Sequence, residues 1–157
     1  MLIRIQNLCK RYTVRGTSVD ALSDVDLEVD AGRFLTVTGP SGSGKSTLLL
    51  ALGGLLRVTS GEIYFRDMPL HALGQGELAA YRSRHVGFVM QNFSLIPYLS
   101  AERNVMIPLA LAGENVATQR ARAREQLERV GLADRWQHRP RELSIGQQQR
   151  VAIARAL

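Results

Sequence analysis

The 157-residue sequence contains one cysteine, Cys9, which excludes an internal disulfide and suits a reducing cytosol. Its longest apolar run, residues 48–56, has nine residues including two glycines. A helical membrane span needs about 20. The first twelve residues, MLIRIQNLCKRY, lack the long apolar core and small-residue cleavage site of a signal peptide. Histidine is also scarce: His71, His85 and His138 stand at no metal-ligand spacing and read as surface or packing residues. Aromatic residues make up 6% and are hardly interleaved with the basic ones, which argues against base stacking and a nucleic-acid partner. There are no repeats and no low-complexity segments.

What is present fits one globular domain with a real core: 45% hydrophobic and 22% charged residues. Lys and Arg number 20 against 14 Asp and Glu, a net charge of +6 that suits anionic partners such as nucleotides or a membrane surface. The most informative stretch is GPSGSGKST: Gly39, Pro40, Ser41, Gly42, Ser43, Gly44, Lys45, Ser46 and Thr47. It fits G-x-x-x-x-G-K-[ST], between an apolar β-rich run at 34–38 and a leucine-rich run at 48–52. Strand, glycine loop and helix are the parts of a phosphate cradle. The glycines let the backbone curl so that its N–H groups converge on phosphates at a helix N-terminus. Lys45 then reaches the β- and γ-phosphates of a nucleotide, and the Ser46 hydroxyl ligates Mg²⁺.

Elsewhere, alternation predicts strands at 2–5 and 25–29, the second half-exposed and antiparallel. Residues 34–38, 62–65 and 85–90 read as further strands, the last buried on both faces. Turns are expected at 30–32 and 59–61. Helices are expected from Lys45 to about Gly53, over 76–84, 101–111 and 117–130, and from Ser144 to the end. Ala123, Leu127 and Val130 share one face of the fourth, where Glu125 can pair with Arg129. The class is α/β.

At Leu143-Ser144-Ile145-Gly146-Gln147 a second motif joins the first. LSIGQQQRVAIARAL, with the glycine loop and with GFVMQ about fifty residues before it, resembles the signature segment of ATP-binding cassette (ABC) ATPases. RSRHVGFVMQNFSLIPYLSAERNVMIPLALAG and GEIYFRDMPL are similar to the subgroup serving lipoprotein-release, macrolide-export and cell-division transporters. The resemblance implies a P-loop core with an N-terminal antiparallel β part and a helical signature subdomain: one domain over 1–157, divided into 1–91 and 92–157. It implies that Tyr12 stacks on adenine, and that Gln91 touches Mg²⁺ or the attacking water and senses the membrane partner. Ser144, Ile145, Gly146 and Gln147 occupy the signature, which caps the γ-phosphate held by a second ATPase subunit in a head-to-tail dimer. A helix N-terminus has the dipole and N–H groups for that. Residues 92–104 match the docking place of a transmembrane permease. The implied whole is the ATP-hydrolysing subunit of a bacterial transporter, peripheral on the cytoplasmic face of the inner membrane.

Two departures from the family pattern stand out. Ile145 replaces the usual glycine, adding bulk and losing conformational freedom. The Asp and Glu that the family carries just beyond its ARAL segment, for Mg²⁺ and for water, have no counterpart up to Leu157. Two readings follow: roughly the first two-thirds of a cassette, or a non-hydrolysing nucleotide-binding or regulatory module. On the first, residues 1–157 alone bind ATP poorly, release no phosphate and unfold without sharp cooperativity. Thermal unfolding with and without Mg-ATP checks this: a sharp transition, an ATP-dependent rise in midpoint and measurable phosphate release together contradict it.

Overall fold

The computed structural model describes residues 1–14 and 16–157, which divide into two compact units, Met1–Arg84 and His85–Leu157. The first unit is built on a long hairpin, β1 (Ile3–Val14) against β2 (Thr17–Val29), paired Ile3 to Val29, Ile5 to Leu27 and Tyr12 to Val19. β3 (Ser60–Phe65) lies antiparallel on the other edge of β1, and the short β4 (Met68–Pro69) follows, giving the order β2-β1-β3-β4. Period-two alternation sends Ile5, Ile63 and Phe65 inward, while Arg4 and Tyr64 stay outside with the guanidinium 4.5 Å from the ring centre.

The hairpin is not regular. Its register shifts after Ile5, where Asn7 (φ 47°) donates its N–H to Asp26 Oδ1 at 2.8 Å. β3 crosses this bulge so closely that a Cβ on Gly61 (φ 87°) would land on the Asn7 carbonyl oxygen. Two helices complete the first unit's core, α1 (Lys45–Leu52) and α2 (Gln75–His85). Leu48, Ala51, Leu78 and Tyr81 are buried with Ile5, Leu8 and Ile63. The end of α1 is closed by α2: Tyr81 Oη donates to the Leu52 carbonyl at 3.0 Å and Arg82 to the Gly54 carbonyl at 2.7 Å.

The second unit contains α3 (Ala101–Leu111), α4 (Val116–Arg129) and α5 (Ile145–Ala156). Their apolar faces meet at Ala101, Val105, Ala123, Leu127, Leu132, Val151 and Ala154. Side chains cap each start: Ser100 Oγ accepts from the Arg103 N–H, Asn115 Oδ1 from Thr118 and Ser144 Oγ from Gln147. Glu102 is buried because Arg124 bonds it at 2.7 Å, and that guanidinium lies 4.1 Å from the centre of the Trp136 ring. Among the described residues, no helix is long and apolar enough to cross a membrane.

Some expected elements differ. Residues 34–38 and 86–90 form no strand, His85 closes α2, and Gln91 sits in a turn instead of at a strand end. A strand exists through its ladder, and among the described residues no strand pairs with either stretch. They are correspondingly exposed, Phe34 at 95% and Val89 at 44%. Arg129 donates to Gln126 Oε1 at 3.1 Å, not to Glu125. Gly61→Ala should destabilise the first unit by about 2–4 kcal/mol, combining left-handed strain with a backbone clash. Urea unfolding measures it, and an unchanged midpoint would show that β3 can stand off from the bulge.

Candidate functional site

The glycine loop closes on its own lysine. Lys45 Nζ donates to the carbonyls of Gly39 (2.9 Å) and Pro40 (2.6 Å) and to Ser43 Oγ (3.3 Å). The ammonium thus sits inside the curve made by the residues before it. Curling is local chemistry: Gly39, Gly42 and Gly44 have φ of 150°, 82° and 85°. Gly44 is the most constrained, because a Cβ there would meet the Ala21 carbonyl oxygen of β2 as well as being strained at its φ. That approach ties the start of α1 to the hairpin.

Gly44 is also the N-cap of α1, with no side-chain capping bond and no acidic residue in the first turn. The N–H groups of the first turn have no intrahelical acceptors and carry the positive end of the helix dipole. Backbone donors, one ammonium and a hydroxyl converge here, the combination that suits a phosphate chain. Ser46, at the second position of α1, is exposed. Its hydroxyl and the Gln91 carboxamide are hard oxygen donors, of the type Mg²⁺ takes alongside its waters. The described residues hold no cluster of three or more His, Cys, Asp or Glu able to bind a metal by themselves.

Tyr12 stands on β1 opposite Val19, 38% exposed, with Lys10 Nζ 5.0 Å from its ring centre. Lys10 is held by the Arg57 carbonyl at 2.8 Å, so one ring face carries a fixed cation. Gln91 and residues 144–147 belong to the second unit. Ser144 and Gln147 form a reciprocal capping box: Gln147 Oε1 accepts from the Ser144 N–H at 2.8 Å, and Ser144 Oγ from the Gln147 N–H at 3.3 Å. Ile145 and Gly146 lie between them in the first turn of α5. Ile145 is 75% exposed, and a Cβ on Gly146 would meet nothing within 4 Å. The bulk of Ile145 therefore projects into solvent without straining the helix. Just upstream, the Arg139 N–H donates to Glu142 Oε2 at 2.7 Å, which holds that carboxyl below the usual glutamate range.

Two side chains that the motifs do not reveal shape the stretch after Gln91. Asn104 is fully buried, donating to the carbonyls of Ile96, Leu99 and Ser100 and accepting from the Ile96 N–H at 2.7 Å. Arg155 donates to the carbonyls of Phe93 and Ser94. The sequence signal for Asn104 was a polar residue on the apolar face of a helix. Of the apolar residues there, Leu95 packs on the helical core while Tyr98 is 72% exposed.

Comparison with known proteins gives a consistent picture. The family model described as ABC transporter matches residues 22–157. An uncharacterised ABC transporter ATP-binding protein of Mycobacterium tuberculosis is 48% identical over 155 residues, covering 99% of this chain and 47% of that protein. The chain thus spans about half the length of that relative. A lipoprotein-releasing system ATP-binding protein of Syntrophotalea carbinolica is 45% identical, with 99% of this chain and 69% of that one covered. Among solved structures, a dimeric ATP-binding cassette in a post-hydrolysis state, bound to ADP and Pi, superposes with a TM-score of 0.93 at 41% identity. That match covers 99% of this chain and 69% of the cassette.

Ser144→Ala should lower the stability of the second unit by about 1 kcal/mol, the usual loss for a helix N-cap, while Ser144→Asp should largely preserve it. Urea unfolding of both variants decides whether the capping box forms in solution; equal stabilities would exclude it.

Proposed function

The chain belongs to the ABC transporter family, and from that membership we propose that it is the ATP-binding part of a bacterial transporter's ATPase. In this reading the protein couples ATP binding and hydrolysis to transport or extraction at the inner membrane. The observation that carries it is the glycine loop wrapped around Lys45 at a helix start left free of side-chain caps. Gly39, Pro40, Ser41, Gly42, Ser43, Gly44 and Thr47 supply the loop, whose N–H groups orient the phosphates. Lys45 turns its ammonium from the loop carbonyls to the β- and γ-phosphates. Tyr12 offers its free ring face to adenine, opposite the face that Lys10 covers. Ser46, and Gln91 by its match to the family motif, are the residues that would hold Mg²⁺, which would supply neutralisation of the charge on the phosphates.

Residues 144–147 act on a nucleotide held by a second subunit, an assignment supported by the dimeric state of the similar cassette. Because the Ser144 and Gln147 N–H groups are engaged with each other's side chains, Ile145 and Gly146 present the remaining first-turn donors. Residues 92–104 meet a transmembrane permease, and exposed Tyr98 is the apolar contact offered there. The assembly sits at the cytoplasmic face of the inner membrane. Hydrolysis requires, besides these groups, a carboxylate to polarise water.

In the complete protein, Lys45→Ala should weaken Mg-ATP binding by about 2–3 kcal/mol, the loss expected for charged hydrogen bonds. Equilibrium titration beside steady-state phosphate release measures both effects. Wild-type affinity with wild-type turnover would remove the loop from the site.

A further inference from the structure

The backbone just after Gln91 takes an unusual path. Phe93 (φ 59°) and Ser94 (φ 46°) are consecutive residues in the left-handed region, which residues bearing a Cβ disfavour. A tight turn surrounds them: the Phe93 N–H donates to the Met90 carbonyl at 2.9 Å and the Ser94 N–H to the Asn92 carbonyl at 2.7 Å. Across about sixty residues of sequence, the two terminal nitrogens of Arg155 donate one each to the Ser94 and Phe93 carbonyls, both at 2.7 Å. We propose that Arg155 is a positioning residue whose planar fork holds this left-handed pair and joins the segment after Gln91 rigidly to α5.

A planar guanidinium spans two neighbouring acceptors at once; a lysine ammonium is a point charge and cannot fix their mutual orientation. Arg155 is partly buried, and the loss of solvent pulls its pKa below the ordinary arginine value, as befits a group enclosed by backbone. On its far side the segment is held by Asn104, which bonds Ile96, Leu99 and Ser100. Both ends are therefore fixed, one by α3 and one by the last turn of α5. The inference rests on the reading of 92–104 as the docking segment. A load applied there passes through Arg155 into a helix of 12 residues, whose opposite end, about 18 Å away, carries Ser144 and Gln147.

The test is backbone hydrogen exchange across 91–100 and 145–148 in the complete protein, with Mg-ATP titrated in the same samples. Arg155→Lys should speed exchange of amides 93–97 by about tenfold, the scale of a released left-handed residue. Exchange at 145–148 should also rise, because α5 carries both the clamp and the capped start. Adding Ser94→Gly to Arg155→Lys should return exchange towards wild type, since glycine takes positive φ without a Cβ penalty. General destabilisation predicts the opposite, because a new glycine weakens the fold further. Unchanged exchange in Arg155→Lys, or a glycine that worsens it, overturns the proposal; a silent 145–148 overturns the rigid link. If Arg155→Lys loses the whole fold, Ser94→Gly alone decides: unchanged exchange supports the clamp and faster exchange defeats it. A wild-type protein that ignores Mg-ATP counts against the proposed function, and the exchange comparison still decides for Arg155.

Discussion

The Gly44 backbone lies against the carbonyl oxygen of Ala21, closer than any residue with a Cβ could come. That contact is the constraint from which the first unit's site is built. It fixes where α1 begins, and it does so with a left-handed residue at the N-cap, so no side chain occupies the helix start. The loop before it must then double back, bringing the carbonyls of Gly39 and Pro40 round to Lys45. The hairpin supplies the other half of the constraint, because Leu22, the residue after Ala21, is buried in the sheet's core. Loop, helix and sheet are thus one object. Its shape is set by the absence of a single methyl group.

The second unit is organised by polar groups that have lost their water and found partners. Asn104 and Glu102, two residues apart near the start of α3, are both buried, a costly arrangement unless each is satisfied. Asn104 is satisfied by backbone and thereby shapes a loop; Glu102 is satisfied by Arg124 and thereby anchors α4. An apolar residue at either place would pack as well but would specify less. The directionality of these bonds selects one path for residues 92–100 among many that hydrophobic burial alone would accept.

The glycine loop was legible in the sequence because its chemistry is local: residue type and φ preference reside in the same nine positions. Helix starts were legible for the same reason, as at Ser144, whose hydroxyl caps a group three residues away. Residues 34–38 and 86–90 were misread because apolar β-branched composition announces a preference, whereas a strand requires a neighbour that such a pattern does not supply. The lengths of β1 and β2 were underestimated because the bulge at Asn7 breaks the alternation while the pairing continues. Arg155 was invisible for a further reason. Its partners are carbonyl oxygens, which every residue has, so no motif could mark them.

The three bonds that Lys45 makes within its own loop have a thermodynamic consequence for any anion that arrives there. Binding is an exchange of partners, so its free energy is a difference between two good sets of hydrogen bonds and is smaller than the contact count suggests. The same exchange runs in reverse on departure, when the carbonyls receive the ammonium back and no bare cation is stranded. Under the proposed function, nucleotide arrival and departure at this loop are exchanges of hydrogen-bond partners for Lys45.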